Sequence, residues 1–198
     1  MPKVSSLDAT GDHNSLTKTY VEYSKITFIL LLPICYGLFI FGGDFIALWM
    51  GEKYRQVSGT ILSILTVSYL FFLVQRGVAF PILMGTSKMK FLSILMVSTA
   101  ILNLLLSIVL SSYYGLYGVA FGTAIPNVIN VIAIVWYMCR QYKINLFEYV
   151  RKCLVYPVLA SLPCLGTMIL TSIYVDVSTY IHIVLAGLAG VTVYFICI

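Results

Sequence analysis

The chain has 198 residues, of which 61% are hydrophobic and 10% charged, with a mean hydropathy of +1.00. That composition leaves too little polar surface for a water-soluble fold of this size, and six apolar runs with short connections leave no room for a separate soluble catalytic domain. The net charge of +5 suggests a nucleic-acid surface only until the basic residues are placed on the chain.

Met1 to Ser15 combines Pro2, Ser5, Ser6 and Gly11 with two aspartates and reads as a loop. It has no apolar h-region, so no cleavable signal peptide is expected. Leu16, Tyr20 and Tyr23 then recur at helical spacing before Lys25. Residues 1–25 therefore form a cytoplasmic lead-in, either an amphipathic helix on the membrane surface or an extension of the first span.

The first apolar run, Ile26 to Leu48, is long enough to cross a bilayer, which takes about 20 mainly apolar residues at 1.5 Å per residue. Pro33 removes a backbone hydrogen bond near its middle and predicts a bend. Asp44 lies near the outer end, and Trp49 and Tyr54 supply interfacial aromatics. A carboxylate there reads either as an ion-coupling site or as a solvated helix end.

Gly59 to Met84 forms the second run, and it contains Arg76. Tyr69 and Leu65 fall within about 20° of Arg76 at 100° per residue. An arginine at that depth faces a cavity or partner, or else snorkels to the headgroups.

The third run, Phe91 to Ser111, places Thr99, Asn103 and Ser107 at i, i+4 and i+8. Leu116 to Met138, the fourth, pairs Gly118 with Gly122 at small-x-x-x-small spacing, which lets helices approach closely. Thr123, Asn127 and Asn130 add polar groups around Pro126. These side chains read either as a hydrophilic path for sugar hydroxyls or as hydrogen bonds between helices. The fifth and sixth runs are Leu154 to Tyr174 and Tyr180 to Ile198, with Glu148 and Asp176 isolated in opposite loops.

Orientation follows from charge. Lys3, Lys18, Lys25, Lys88, Lys90, Arg140, Lys143, Arg151 and Lys152 fall on one side of the six spans, and Lys53 and Arg55 on the other. The positive-inside rule then puts both termini in the cytoplasm, and no nucleic-acid partner is needed to explain the basic excess. The cysteines Cys35, Cys139, Cys153, Cys164 and Cys197 form no C-x-x-C pair and have no histidine at ligand spacing, so neither a metal site nor a cofactor is expected. No catalytic constellation can be assembled, which points away from an enzyme.

Three stretches carry a family resemblance. LLPICYGLFIFGGDFIALWMGEKY (Leu31 to Tyr54), PILMGTSKMKF (Pro81 to Phe91) and YYGLYGVAFGTAIPNVINV (Tyr113 to Val131) together resemble the C-terminal half of O-antigen (Wzx-type) polysaccharide lipid flippases. These belong to the multidrug/oligosaccharidyl-lipid/polysaccharide exporter superfamily. The resemblance implies an all-α integral membrane fold, a six-helix bundle forming one lobe of a two-lobe flippase. It also implies that an N-terminal lobe is missing, that the chain is a fragment or truncated reading frame, and that the cargo is an undecaprenyl-diphosphate-linked oligosaccharide. Arg76, Tyr69, Asn103, Asn127 and Asn130 are then candidates for binding that cargo, with Arg76 matched to the diphosphate. The multidrug branch and a membrane-embedded assembly subunit without transport activity remain as alternatives.

Overall fold

A computed structural model describes residues 13–86, 88–174 and 179–197, and these are helical almost throughout, with no strand among them. The helices are α1 (His13–Met50), α2 (Arg55–Gly85), α3 (Met89–Tyr114), α4 (Leu116–Gln141), α5 (Leu146–Val150), α6 (Tyr156–Tyr174) and α7 (Tyr180–Cys197). A single 3-10 turn, Glu52–Tyr54, leads into α2, and a π-helical turn, Arg151–Val155, joins α5 to α6 without a break. α1, α2 with its leading turn, α3, α4 and the joined α5–α6 rod are each long and apolar enough to cross a membrane. Among the described residues α7 is a shorter apolar helix.

Two expectations change. His13 to Ser15 are helical rather than loop, and α1 runs unbroken from there through Pro33 to Met50. The lead-in is thus an extension of the first span, because Leu16 and Tyr20 are fully buried against other helices. Residues 1–12 lie outside the described residues. Glu148 is also no loop residue: it sits in the first turn of α5, whose start Asn145 caps by accepting from the Phe147 N–H at 3.0 Å. Lys152, one turn on, donates to its carboxylate at 2.6 Å. The isolated Asp176 of the sequence reading lies outside the described residues.

Packing orders the rods as a row, α3–α4–α2–α1–α6, with α7 against both α6 and α1. α2 and α3 are neighbours in sequence yet barely touch, because α4 packs against both and stands between them in the row. A Cβ added at Gly122 would lie 2.6 Å from Ser107 Cα, and one at Gly118 would collide with the Leu110 carbonyl. The small-residue spacing therefore brings α3 and α4 together backbone to backbone. Gly59 makes the same kind of contact between α2 and α1, where its added Cβ would lie 3.0 Å from Gly43 Cα.

The largest core lies at the basic end. There Leu16 and Tyr20 of α1, Leu83 of α2, Leu92 of α3, Met138 of α4 and Tyr149 of α5 converge. A second core joins Phe41 of α1 to Cys164 and Met168 of α6 and Tyr194 of α7. The rods are thus fastened firmly at the basic end, while much of their outer surface stays apolar and exposed, as a lipid environment demands.

Candidate functional site

Arg76 sits about nine residues, or roughly 14 Å, from the Gly85 end of α2. It is exposed, on an open face of the bundle rather than inside an enclosed cavity of this chain. Its guanidinium carbon lies 5.9 Å from the Phe72 ring centre and 5.8 Å from that of Phe80. Phe72 and Phe80 stand at i−4 and i+4, so the helix itself places one ring on each side of the cation. Such cation–π contact compensates part of the cost of an apolar setting. Among the described residues Arg76 has no carboxylate partner. Tyr69, exposed about two turns back along α2 from Arg76, meets the Phe72 ring edge-on at 6.0 Å. The expected Arg76–Tyr69 face is therefore present, with the aromatics as an addition. Thr66 and Ser68, which flank it on the helical wheel, turn inward and are buried.

The neighbouring residue, Gln75, was not singled out from the sequence, and it does the opposite. It is 4% exposed and bonds two helices at once. Tyr20 of α1 donates from its hydroxyl to Gln75 Oε1 at 2.9 Å, and Gln75 Nε2 donates to the Tyr149 hydroxyl of α5 at 3.0 Å. The two tyrosine rings stack with centres 5.1 Å apart and planes 6° from parallel. A buried amide left unpaired would be costly, so this fully engaged set fixes α2 in rotation about its axis. The available signal was an amide inside an apolar run, beside a charge; Arg76 masked it.

The other candidates fall elsewhere. Asn130 is fully buried, and its Nδ2 donates to Thr99 Oγ1 across the α3–α4 contact at 2.7 Å. Asn127 is buried on the same helix, and Asn103 is half-buried on α3 one turn beyond Thr99. Asn130 thus belongs to the seam between α3 and α4, and none of the three lies on α2, which carries Arg76. Asp44, near the opposite end of the bundle, is ion-paired to Arg55, which also reaches Glu52 at 3.1 Å. An arginine already neutralises that carboxylate at the helix end.

Comparison with known proteins agrees with this architecture. The family profile described as "Lipid II flippase MurJ" matches residues 1–187. A Shigella flexneri protein described as "Putative O-antigen transporter" is 24% identical over 121 residues, 60% of this chain and 29% of that protein. The chain thus spans under a third of that relative's length. No solved structure matches. With a profile that covers all but the last eleven residues, on a bundle of apolar helices, the chain belongs to the lipid II flippase MurJ family, within the exporter superfamily its motifs resemble.

Proposed function

We propose that this chain is the C-terminal lobe of a flippase that moves an undecaprenyl-diphosphate-linked oligosaccharide from the cytoplasmic to the periplasmic leaflet for surface polysaccharide synthesis. The observation that carries this reading is Arg76: a cation without a carboxylate partner among the described residues, deep in an apolar helix, held between two aromatic rings and open to a neighbour. A guanidinium offers two parallel N–H groups to phosphate oxygens, and the low-dielectric setting strengthens that contact. Tyr69 on the same face would then meet the first sugar or the carrier. The pairing of Asp44 with Arg55 supports an anionic cargo over the cationic one of a multidrug exporter.

A second helical lobe, in the same or another chain, closes the path opposite α2. The length of the relative, more than three times the matched segment, supports this. The test uses the complete protein in proteoliposomes. It should carry the oligosaccharide on its diphosphate lipid and fail with the same sugar on a neutral carrier. Equal transport of both would remove the phosphate role.

The basic end, with nine Lys and Arg residues in the sequence, faces the cytoplasm of a bacterial inner membrane in this reading. A reporter active only in the periplasm should work when fused after Gly51 or Tyr114. It should be silent after Lys90 or Lys143. The reverse pattern would invert the bundle.

A further inference from the structure

A groove of about 660 Å³ opens at the basic end, between the first three turns of α1 and the segment from Lys143 to Tyr156. It lies away from Arg76, and the transport reading above makes no use of it. Four ammonium groups face it, from Lys18, Lys25, Lys143 and Lys152, against two carboxylates, Glu22 and Glu148. Each carboxylate is engaged by a lysine of its own helix: Lys18 lies 3.9 Å from Glu22, and Lys152 lies 2.6 Å from Glu148. Lys25 and Lys143 are left without an acidic partner among the described residues. Two lysines without an acidic partner among the described residues therefore line one concave surface from two separate segments.

The backbone holds one of them there. Lys143 lies in the turn after α4 with φ of 52°, a left-handed conformation that lysine seldom adopts and that Asn or Gly would fill more readily. Neutral polar groups of Asn14, Thr17 and Asn145 also face the groove, and the buried Tyr149 forms part of its wall. At the other limit stands Tyr156, where α6 enters the apolar region. From there the exposed Ile26 and Leu30 of α1 and Val155 and Leu159 of the fifth rod continue along the bundle. A polar, doubly cationic concavity that opens onto apolar helix surface matches an amphiphile with an anionic head.

We propose that this groove binds a phosphate group, and that the phosphate is that of an anionic lipid whose acyl chains run along α1 and α6. A phosphodiester suits the two lysines as point charges at the level of the headgroups, where each basic side chain adds attraction to an acidic leaflet. Because Tyr149 both lines the groove and bonds Gln75, an occupied groove also braces the contact that sets α2.

The test uses the complete protein in a neutral detergent. Affinities for dioleoyl phosphatidylglycerol and dioleoyl phosphatidylcholine are measured by native mass spectrometry, with inorganic phosphate as competitor. Lys25→Gln with Lys143→Asn removes both charges with substitutions suited to their backbones, since Gln is a good helix former and Asn tolerates the left-handed turn. Phosphatidylglycerol should bind the native chain more tightly than phosphatidylcholine, and the double variant should bind it about 30-fold more weakly. Arg140→Gln, at the same end but outside the groove, should bind as the native chain does. Lys143→Asn alone, which should fold at least as well as the native chain, should lose about 5-fold. Displacement of the lipid by millimolar inorganic phosphate would assign the site to phosphate from any source, and resistance to displacement would assign it to the lipid. Unchanged affinity in the double variant, or an equal loss in Arg140→Gln, would overturn the proposal, as would failure of both lipid and phosphate to bind. None of these outcomes depends on transport.

Discussion

Gly122→Leu should lower the thermal midpoint of the detergent-solubilised protein by on the order of 5–10 °C and reduce its level in the membrane. The physical reason is that α3 backbone occupies the space a side chain would need: even the first added carbon would lie 2.6 Å from Ser107 Cα. Neither a rotamer change nor a shift of one flexible side chain relieves that clash, so the two helices must separate. Separation would also stretch the Asn130–Thr99 bond that lies on the same seam. Gly166→Ala provides the contrast, because a Cβ there would meet nothing within 4 Å. It should leave the midpoint unchanged or raise it slightly, since alanine favours helix over glycine by about 1 kcal/mol. Equal behaviour of the two variants would remove the close-approach account of α3 and α4.

Arg76→Ala in the complete protein should abolish surface polysaccharide while its level in the membrane stays near normal. Removing a charge that costs roughly 2.5–3.5 kcal/mol at the centre of a spanning helix does not hinder insertion. If the guanidinium holds the cargo's diphosphate, its loss should reduce transport by ~30-fold or more, the effect of truncating one side of a desolvated charge pair. Arg76→Lys should keep part of the activity, because it preserves the charge and its place between Phe72 and Phe80 but loses the two-pronged geometry. A snorkelling arginine predicts another pattern, with lysine fully active and alanine altering at most insertion. Transport by all three proteins at matched expression separates the two, and full activity of Arg76→Ala would end the binding role.

That the chain is a set of long apolar helices was legible because a bilayer imposes a minimum length on every crossing helix, although α1 begins well before the apolar run at Ile26. The glycine pair of α4 was legible for a similar reason, since only small residues allow backbones to touch. Charges hid the rest. Glu148, Arg151 and Lys152 made the start of the fifth rod read as a loop, although an Asn145 cap and an i, i+4 ion pair let it begin as helix. The lead-in's tyrosines were read on the helical wheel, but their destination was a tertiary matter. Tyr20 points at an amide on α2, and no local pattern records which helix will lie opposite. The polar residues of α3 and α4 kept two meanings in sequence for the same reason, and it is the facing helix that turns Asn130 to packing.

Gln75 and Arg76 are consecutive, so their side chains leave α2 about 100° apart and turn together like two teeth of one gear. Spinning α2 to carry Arg76 from one compartment to the other would drag Gln75 out from between Tyr20 and Tyr149, stranding a buried amide at a cost of several kcal/mol. Axial rotation of this one helix is therefore the expensive coordinate. Tilting the whole row as a plate leaves every one of those bonds intact, so in a two-lobe transporter of the kind proposed above, alternating exposure of the arginine would come from this bundle moving as a unit.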